Sequence, residues 1–227
     1  MKPRISVIIP TLNESSNLET CVGSLGSDRD FELLVVDGGS KDRTPELAQS
    51  LGARVIRSQA CRASQMNIGA QSSSNEILLF LHADTVLPPD WKEVVYQIIC
   101  FPGVSLGAFK FKLDDDRLLF QLIERLANFR SHFFQMPYGD QAIFVKRDIF
   151  FRLGAFPEIS IMEDFVFCRT ARKLGRIKTA SSAVVTSGRR WRRRGIIKTT
   201  LINQLIIASF ALGVSHTRLR ELYDSVR

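Results

Sequence analysis

Phe31-Glu-Leu-Leu-Val-Val-Asp37-Gly-Gly-Ser40 is a short apolar run that ends in a carboxylate and two glycines. Such a run fits a strand buried on both faces, because its side chains alternate into apolar layers above and below a sheet. Asp37 then falls where the chain leaves the sheet, followed by glycines that let backbone come close to a ligand. Outward toward the N-terminus, Arg4 to Leu12 is a second run of this kind, stopped by Pro10, and Ser15 or Ser16 caps a helix running toward Gly26. Outward in the other direction, Asp42 and Thr44-Pro45 open a helix. Ala53 to Ile56 is a strand, Arg62 to Gln71 a helix, and Glu76 to Leu81 a strand that stops at His82-Ala83-Asp84. This alternation predicts an α/β fold with a mostly parallel sheet and helices on both faces. It puts Asn13, Asp37 and Asp84 at strand C-terminal ends, the edge where open α/β sheets bind ligands.

Beyond a helix over Trp91 to Ile99 the pattern is less regular. Leu106 to Leu113 reads as a strand, Arg117 to Phe134 as an apolar-rich amphipathic helix, and Gln141 to Val145 as a strand. A helix starts at Met162-Glu163-Asp164 and runs to about Lys173, with two acids in its favourable first turn, and Ala183 to Ser187 closes the sheet. Ile196 to Val214 is apolar but interrupted by Lys198, Asn203 and Gln204. A spanning helix needs about 20 almost uncharged residues, so this one reads as docked or interfacial. It and the Arg117 to Phe134 helix carry more apolar surface than a solvated helix exposes. Packing on each other, across a homodimer, or against a membrane beside a lipid-linked acceptor are all open.

The chain of 227 residues is 45% hydrophobic and 24% charged, the composition of a folded globular protein of one large domain. Cys21, Cys61, Cys100 and Cys168 form no CxxC pair, and the first residues lack an apolar signal segment, so they read as reduced, buried thiols of a cytoplasmic protein. The net charge of +8 is uneven: from Phe165 onward fourteen Lys/Arg face two acids. That end should attract something anionic, whether phosphorylated substrate or acidic lipid. Nucleic acid is not the expected partner, because basic and aromatic residues do not interleave along an extended face.

Three acidic sites could carry chemistry. Asp37 could accept hydrogen bonds from a nucleobase or ribose, or simply cap its own turn. Asp84 could hold a hard divalent cation bridging two phosphates, or start the Pro88-Pro89-Asp90 turn. Glu163-Asp164 could supply a general base toward an incoming hydroxyl, or cap a helix.

Taken together, these segments resemble the family 2 glycosyltransferases. Ser6-Val-Ile-Ile-Pro-Thr-Leu-Asn-Glu14 is similar to the family's first strand and loop, and Val35-Val-Asp-Gly-Gly-Ser-Lys-Asp-Arg-Thr44 to its second. Arg62 to Ala70, with Asn67 and Gly69, resembles the helix after the third strand, and Leu79-Phe-Leu-His-Ala-Asp-Thr85 the metal segment. Gly139-Asp-Gln141 and Ile161-Met-Glu-Asp164 resemble the acceptor-side motifs, so the likeness extends from about Ile5 to Gly188. Within the family the chain looks most like the radical-SAM/selenodomain-associated transferases.

The resemblance implies a GT-A fold with a Rossmann-like sheet over residues 1–188, divided into a nucleotide-binding half (1–100) and an acceptor-side half (101–188), followed by a basic loop and helical extension (189–227). It implies a UDP- or GDP-linked sugar donor and Mn²⁺ or Mg²⁺. Pro10, Asn13, Glu14 and Asp37 would line the nucleoside pocket, Arg62 would approach the diphosphate, and Asp84 would ligate the metal. Asp164, with Glu163 beside it, would be the base of an inverting reaction. Asn67, Ala83, Gly139 and Asp140 are carried over as further substrate contacts. His82 stands where the family usually has an acid, which fits a supporting role at a phosphate or a packed histidine. A nucleotide-sugar-binding module without turnover is therefore the alternative. Arg189-Arg-Trp-Arg-Arg-Arg194 suits bidentate phosphate contacts, and the family has a loop over the donor diphosphate here. Arg190 and Trp191 are its candidate contacts, Trp191 with core packing as the competing use.

Overall fold

A computed structural model describes residues 3–225, with side chains through Tyr223. Strands β1 (Ile5–Thr11), β2 (Glu32–Asp37), β3 (Arg54–Arg57) and β4 (Ile77–Phe80) alternate with helices α1 (Ser15–Gly23), α2 (Thr44–Ser50) and α3 (Arg62–Ser72). The chain continues through β5 (Thr85–Val86), α4 (Trp91–Ile99), β6 (Val104–Leu113), α5 (Leu118–Phe133), a 3₁₀ turn (Gly139–Gln141), β7 (Phe144–Lys146) and α6 (Arg147–Arg152). It ends with α7 (Glu163–Leu174), β8 (Arg176–Thr186), α8 (Arg189–Arg194), α9 (Ile196–Ala211) and α10 (His216–Ser225).

Among the described residues one sheet has the order β3-β2-β1-β4-β7-β6-β8-β5. β3, β2, β1 and β4 are mutually parallel, as the alternation predicts. The other half is mixed: β7 runs antiparallel to β4 and β6, β5 antiparallel to β8, and β8 parallel to β6. The sheet is thus mostly parallel only in its first half.

The period of two in β1 explains the layers. Val7 and Ile9 enter one core with Leu18, Val22, Trp91 and Val95, which come from α1 and α4. Ile8 enters the opposite core with Met66, Phe150 and Phe167, from α3, α6 and α7. Gly69 lets α3 settle on the sheet, since a Cβ there would stand 2.4 Å from Ile8 Cγ2.

Several boundaries differ from the sequence expectations. Pro10 lies inside β1, opposite Val36. The Ile8 carbonyl points toward β4, accepting from Leu81 N–H, so two residues later the missing Pro10 N–H faces a side from which β4 has already departed. α1 begins at Ser15 without a serine cap; its Ser15 N–H donates to Asp42 instead. Gln141 sits in the 3₁₀ turn, not in a strand. Its side chain accepts from Ser131 Oγ and donates to the Phe109 carbonyl, and the left-handed Ala142 after it, at φ 46°, interrupts the strand. All four cysteines are free, and Cys21 and Cys168 are buried as expected, whereas Cys100 is exposed.

Candidate active site

The C-terminal edge of the parallel strands opens into a cavity of about 610 Å³. Pro10 and Thr11 reach it from β1, His82, Ala83 and Asp84 from the end of β4, and Arg62 from the start of α3. Asp140 and Tyr138 come from the 3₁₀ turn, and Glu163 and Asp164 from the first turn of α7. Met162, at φ 72°, turns the chain sharply into α7. The cost of a left-handed residue is about 1–2 kcal/mol, and here it aims both acids at the cavity.

Asp164 is held by two backbone amides: Gly139 N–H donates to Oδ2 at 2.6 Å and Phe165 N–H to Oδ1 at 2.7 Å. A Cβ at Gly139 would crowd this approach, lying 3.1 Å from His82 Nε2 and 3.4 Å from Asp164 Oδ2. His82 Nε2 is buried with no hydrogen-bond partner. Burial, with Arg62 adding to it, pushes the His82 pKa down to about 3, so the imidazole is neutral. Glu163 is 4% exposed and lies 3.7 Å from Arg62 Nη1. Burial raises its pKa, opposed by Arg62 and reinforced by Asp164. Burial also pushes Asp140 up to about 6, against the pull of Arg130 and with the help of Asp164 and Asp84. The Asp84 carboxyl is raised by burial and by Glu14, with Arg189 opposing.

The first-half loops are differently built. Asp37 is 3% exposed, accepting from the backbone N–H of Gly39 and Ser40 and from the hydroxyls of Ser40 and Thr11. It therefore caps its own turn and lies behind the cavity wall, touching it through Thr11. Asn13, at φ 56°, takes a hydrogen bond from Lys41 N–H, and its own N–H donates to Ser40 Oγ, tying the β1 loop to the β2 loop. Neither side chain lines the cavity. Asn67 is a correction of a different kind: it is buried, with Nδ2 donating to the Phe156 carbonyl and Oδ1 accepting from Phe156 N–H. Both of its polar ends hold the backbone after α6, and it does not line the cavity.

The Arg-rich segment is a short helix, α8, not a loop. Arg189 Nη2 lies 2.6 Å from Glu14 Oε1 and 3.8 Å from Asp84 Oδ2, and so bridges the basic end to the metal segment. Arg190 donates to the Tyr223 hydroxyl and stacks over its ring at 4.1 Å. Trp191 lines the cavity on one side and packs on the other, with its ring centroid 6.5 Å from that of Phe111. Pattern reading missed Arg189 as an individual contact, along with Tyr138, Tyr223 and Gln65. Gln65 had a signal, being polar on the apolar side of α3; it donates to the Thr11 and Val36 carbonyls at 2.8 and 2.7 Å.

A family model described as glycosyl transferase family 2 matches residues 6–158. Glycosyltransferase AglE of Haloferax volcanii is 34% identical over 115 residues, covering 46% of this chain and 38% of its own. A PGL/p-HBAD biosynthesis glycosyltransferase of Mycobacterium bovis is 32% identical over 171 residues, 68% and 63% of the two chains. The chain thus spans roughly two to three fifths of the length of these curated relatives. Among solved structures, the mannosyltransferase PcManGT from Pyrobaculum calidifontis, in complex with GDP-Man and Mn²⁺, matches with a TM-score of 0.69 at 19% identity, over 100% of this chain and 70% of its own. S. aureus TarS 1-349 in complex with UDP-GlcNAc matches at 0.64 and 18%, over 81% and 58%. At these identities the likeness is one of fold, the GT-A arrangement. Because the matched residues run from the first strand through the parallel sheet and the metal segment to the 3₁₀ turn beside Asp164, the chain belongs to glycosyl transferase family 2.

Proposed function

We propose that the chain moves a sugar from a UDP- or GDP-linked donor to an acceptor hydroxyl, with inversion at the anomeric carbon. The observation that carries this reading is that Asp84 and Asp164, from distant parts of the sequence, line one cavity walled on its far side by an arginine helix. In this reading the acceptor oxygen attacks the anomeric carbon while the bond to the diphosphate breaks, and the hydroxyl proton passes to Asp164. The two amides that hold Asp164 keep its carboxylate oriented for that transfer. Arg62 and Arg189 supply fixed positive charge for the leaving diphosphate. Family membership and the nucleotide sugars in the two structural neighbours support the donor class.

A divalent ion fits this site in a specific way. Among the described residues no group of three His, Cys, Asp or Glu forms a cage. A lone carboxylate, Asp84, would hold Mn²⁺ or Mg²⁺, hard cations suited to a single protein oxygen beside a phosphorylated substrate. Such an ion supplies charge neutralisation on the departing diphosphate. Asp140, Ala83 and His82 then form the floor near the transferred sugar, and Pro10 and Glu14 the nucleoside side.

The same reading includes a lipid-linked acceptor and peripheral contact with the inner face of a membrane, and it keeps the likeness to the radical-SAM/selenodomain-associated subgroup. A module without turnover gains nothing from an Asp164 oriented by two amides. Calorimetric titration with UDP and GDP, each with Mn²⁺ or Mg²⁺, tests the proposal. We expect binding of one nucleotide, weakened about tenfold or more in Asp84→Ala. No heat from either nucleotide with either metal overturns it.

A further inference from the structure

The outer surface of α5 and α9 is a feature that sugar transfer leaves unused. On α5, Leu118, Leu122, Leu126, Phe129 and Phe133 recur at helical spacing and are all exposed, Leu118 by 82% and Phe133 by 64%. The inward side of the helix carries polar groups. Glu124 Oε1 accepts from Leu113 N–H at 2.8 Å, while Asn128 accepts from Phe111 N–H at 2.8 Å and donates to the Phe111 carbonyl at 2.9 Å. Phe120, with Ile123 and Ala127 beside it, packs inward as well. The helix therefore spends polar side chains on the protein and turns an apolar stripe to the outside, the reverse of an ordinary surface helix.

α9 does the same. Ile197, Leu201 and Leu205, four apart, are exposed by 66%, 64% and 54%, and Leu212 just past its end by 86%. The two helices touch where Ile196 packs near Ile123 and Ala127. Each has 16 residues, about 24 Å of helix. Among the described residues no helix is long and apolar enough to cross a membrane. Exposed cations stand beside the stripes: Arg125 lies one helical turn from Leu122 and Phe129, and Lys198 one turn from Leu201.

We propose that this two-helix face docks on an anionic lipid bilayer, with α5 and α9 lying in the interface and Arg125 and Lys198 meeting headgroup phosphates. Charge decides between a bilayer and a second copy of the chain. From Arg189 to Lys198 the chain carries six cations and no acid, a charge that anionic headgroups neutralise and that a second copy of the same surface would only double. Apolar area and cationic edge act together in an interfacial helix, and neither suffices alone. The docking presents the cavity, which α8 and α9 also line, to an acceptor held in that bilayer, and for that acceptor it rests on the transfer reading.

Flotation of the full chain with vesicles tests this, comparing phosphatidylcholine alone with phosphatidylcholine mixed with phosphatidylglycerol. The chain floats with the mixed vesicles and at least about tenfold less with the neutral ones. The combined change Leu122→Gln, Leu126→Gln and Phe129→Gln lowers flotation about tenfold or more while circular dichroism and nucleotide binding stay unchanged. Arg125→Glu with Lys198→Glu, a second surface variant, lowers it and removes most of its salt dependence. A chain that stays at the bottom with mixed vesicles overturns the proposal, as does flotation indifferent to both variants. A dimer seen by light scattering, abolished by the triple change and unaccompanied by flotation, gives the face to a second copy and overturns it too. Nucleotide titration on the same samples separates the two readings: flotation without nucleotide binding removes sugar transfer and leaves the docking surface standing.

Discussion

The carboxylates on the two sides of the cavity live in opposite circumstances. On the β1–β2 side, Asp37 is saturated by its own turn. Although desolvation works to raise Asp42, hydrogen bonds from Thr44 and Ser15 bring it down to about 2. On the α7 side, burial pushes Asp140 up to about 6 and raises Glu163. Acids of the first kind stabilise loops through the hydrogen bonds they accept. Acids of the second kind are kept at a cost, desolvated next to one another, and groups held so are the ones available for proton transfer. The β1–β2 loops are a finished scaffold, whereas the raised acids Asp84, Asp140 and Glu163 border the cavity itself.

The sharpest way to break this contrast is Asp164→Asn. We expect kcat to fall by about 10²–10⁴ with donor affinity within about twofold of the parent, read by steady-state kinetics and calorimetry. Retained turnover with lost affinity would make Asp164 scaffold after all. Next in size, Asp37→Ala leaves the Gly39 and Ser40 donors unpaired and should cost about 2–4 kcal/mol in urea unfolding. A cost under about 0.5 kcal/mol would mean the first-half turn does not depend on its carboxylate.

Asp140→Asn should act in the other direction. The folded carboxyl keeps its proton to about pH 6, against an ordinary value of 3.8. Between those values the native state binds more protons than the unfolded chain, so stability falls as pH rises through the window. The amide variant is then more stable by about 1–3 kcal/mol at neutral pH, and the gap closes below about pH 4. Equal stability of the two proteins at neutral pH would remove Asp140 from the strained side. The smallest effect is that of Glu163→Gln, which releases Arg62. KM for the donor should rise about three- to fivefold with kcat unchanged, the size expected of one partly exposed ion pair. A change confined to kcat would place Glu163 in the chemistry instead.

The parallel half was legible in the sequence for a physical reason. β1, β2 and β4 are short apolar runs buried on both faces, and each stops at a turn with its own chemistry, as at Asp37-Gly38-Gly39. β8 shows why the other half was not. Its Arg176–Thr186 segment mixes charged and small residues, and only Ala183 onward reads as a strand. It is held along β6 by long-range pairing with two register shifts, which local pattern does not encode. For the site, Asp84, Glu163 and Asp164 could be placed because they sit at element ends. Asn67 could not be told from a ligand contact, because its true partner, the Phe156 backbone, lies 89 positions away. Arg189 was hidden among its neighbours, since five like side chains in one short helix give no hint which one reaches Glu14.

The bonds from Glu124 and Asn128 to the backbone of β6 carry one more consequence. β7 pairs with β6 only at Gly107, so beyond that point β6 offers bare amides and carbonyls of the kind onto which a foreign strand can add. The carboxylate and carboxamide of α5 occupy those groups at Phe111 and Leu113 in place of a neighbouring strand. Fibril-like growth from this stretch of the sheet is thereby blocked, even though the helix that blocks it wears leucine and phenylalanine on its back.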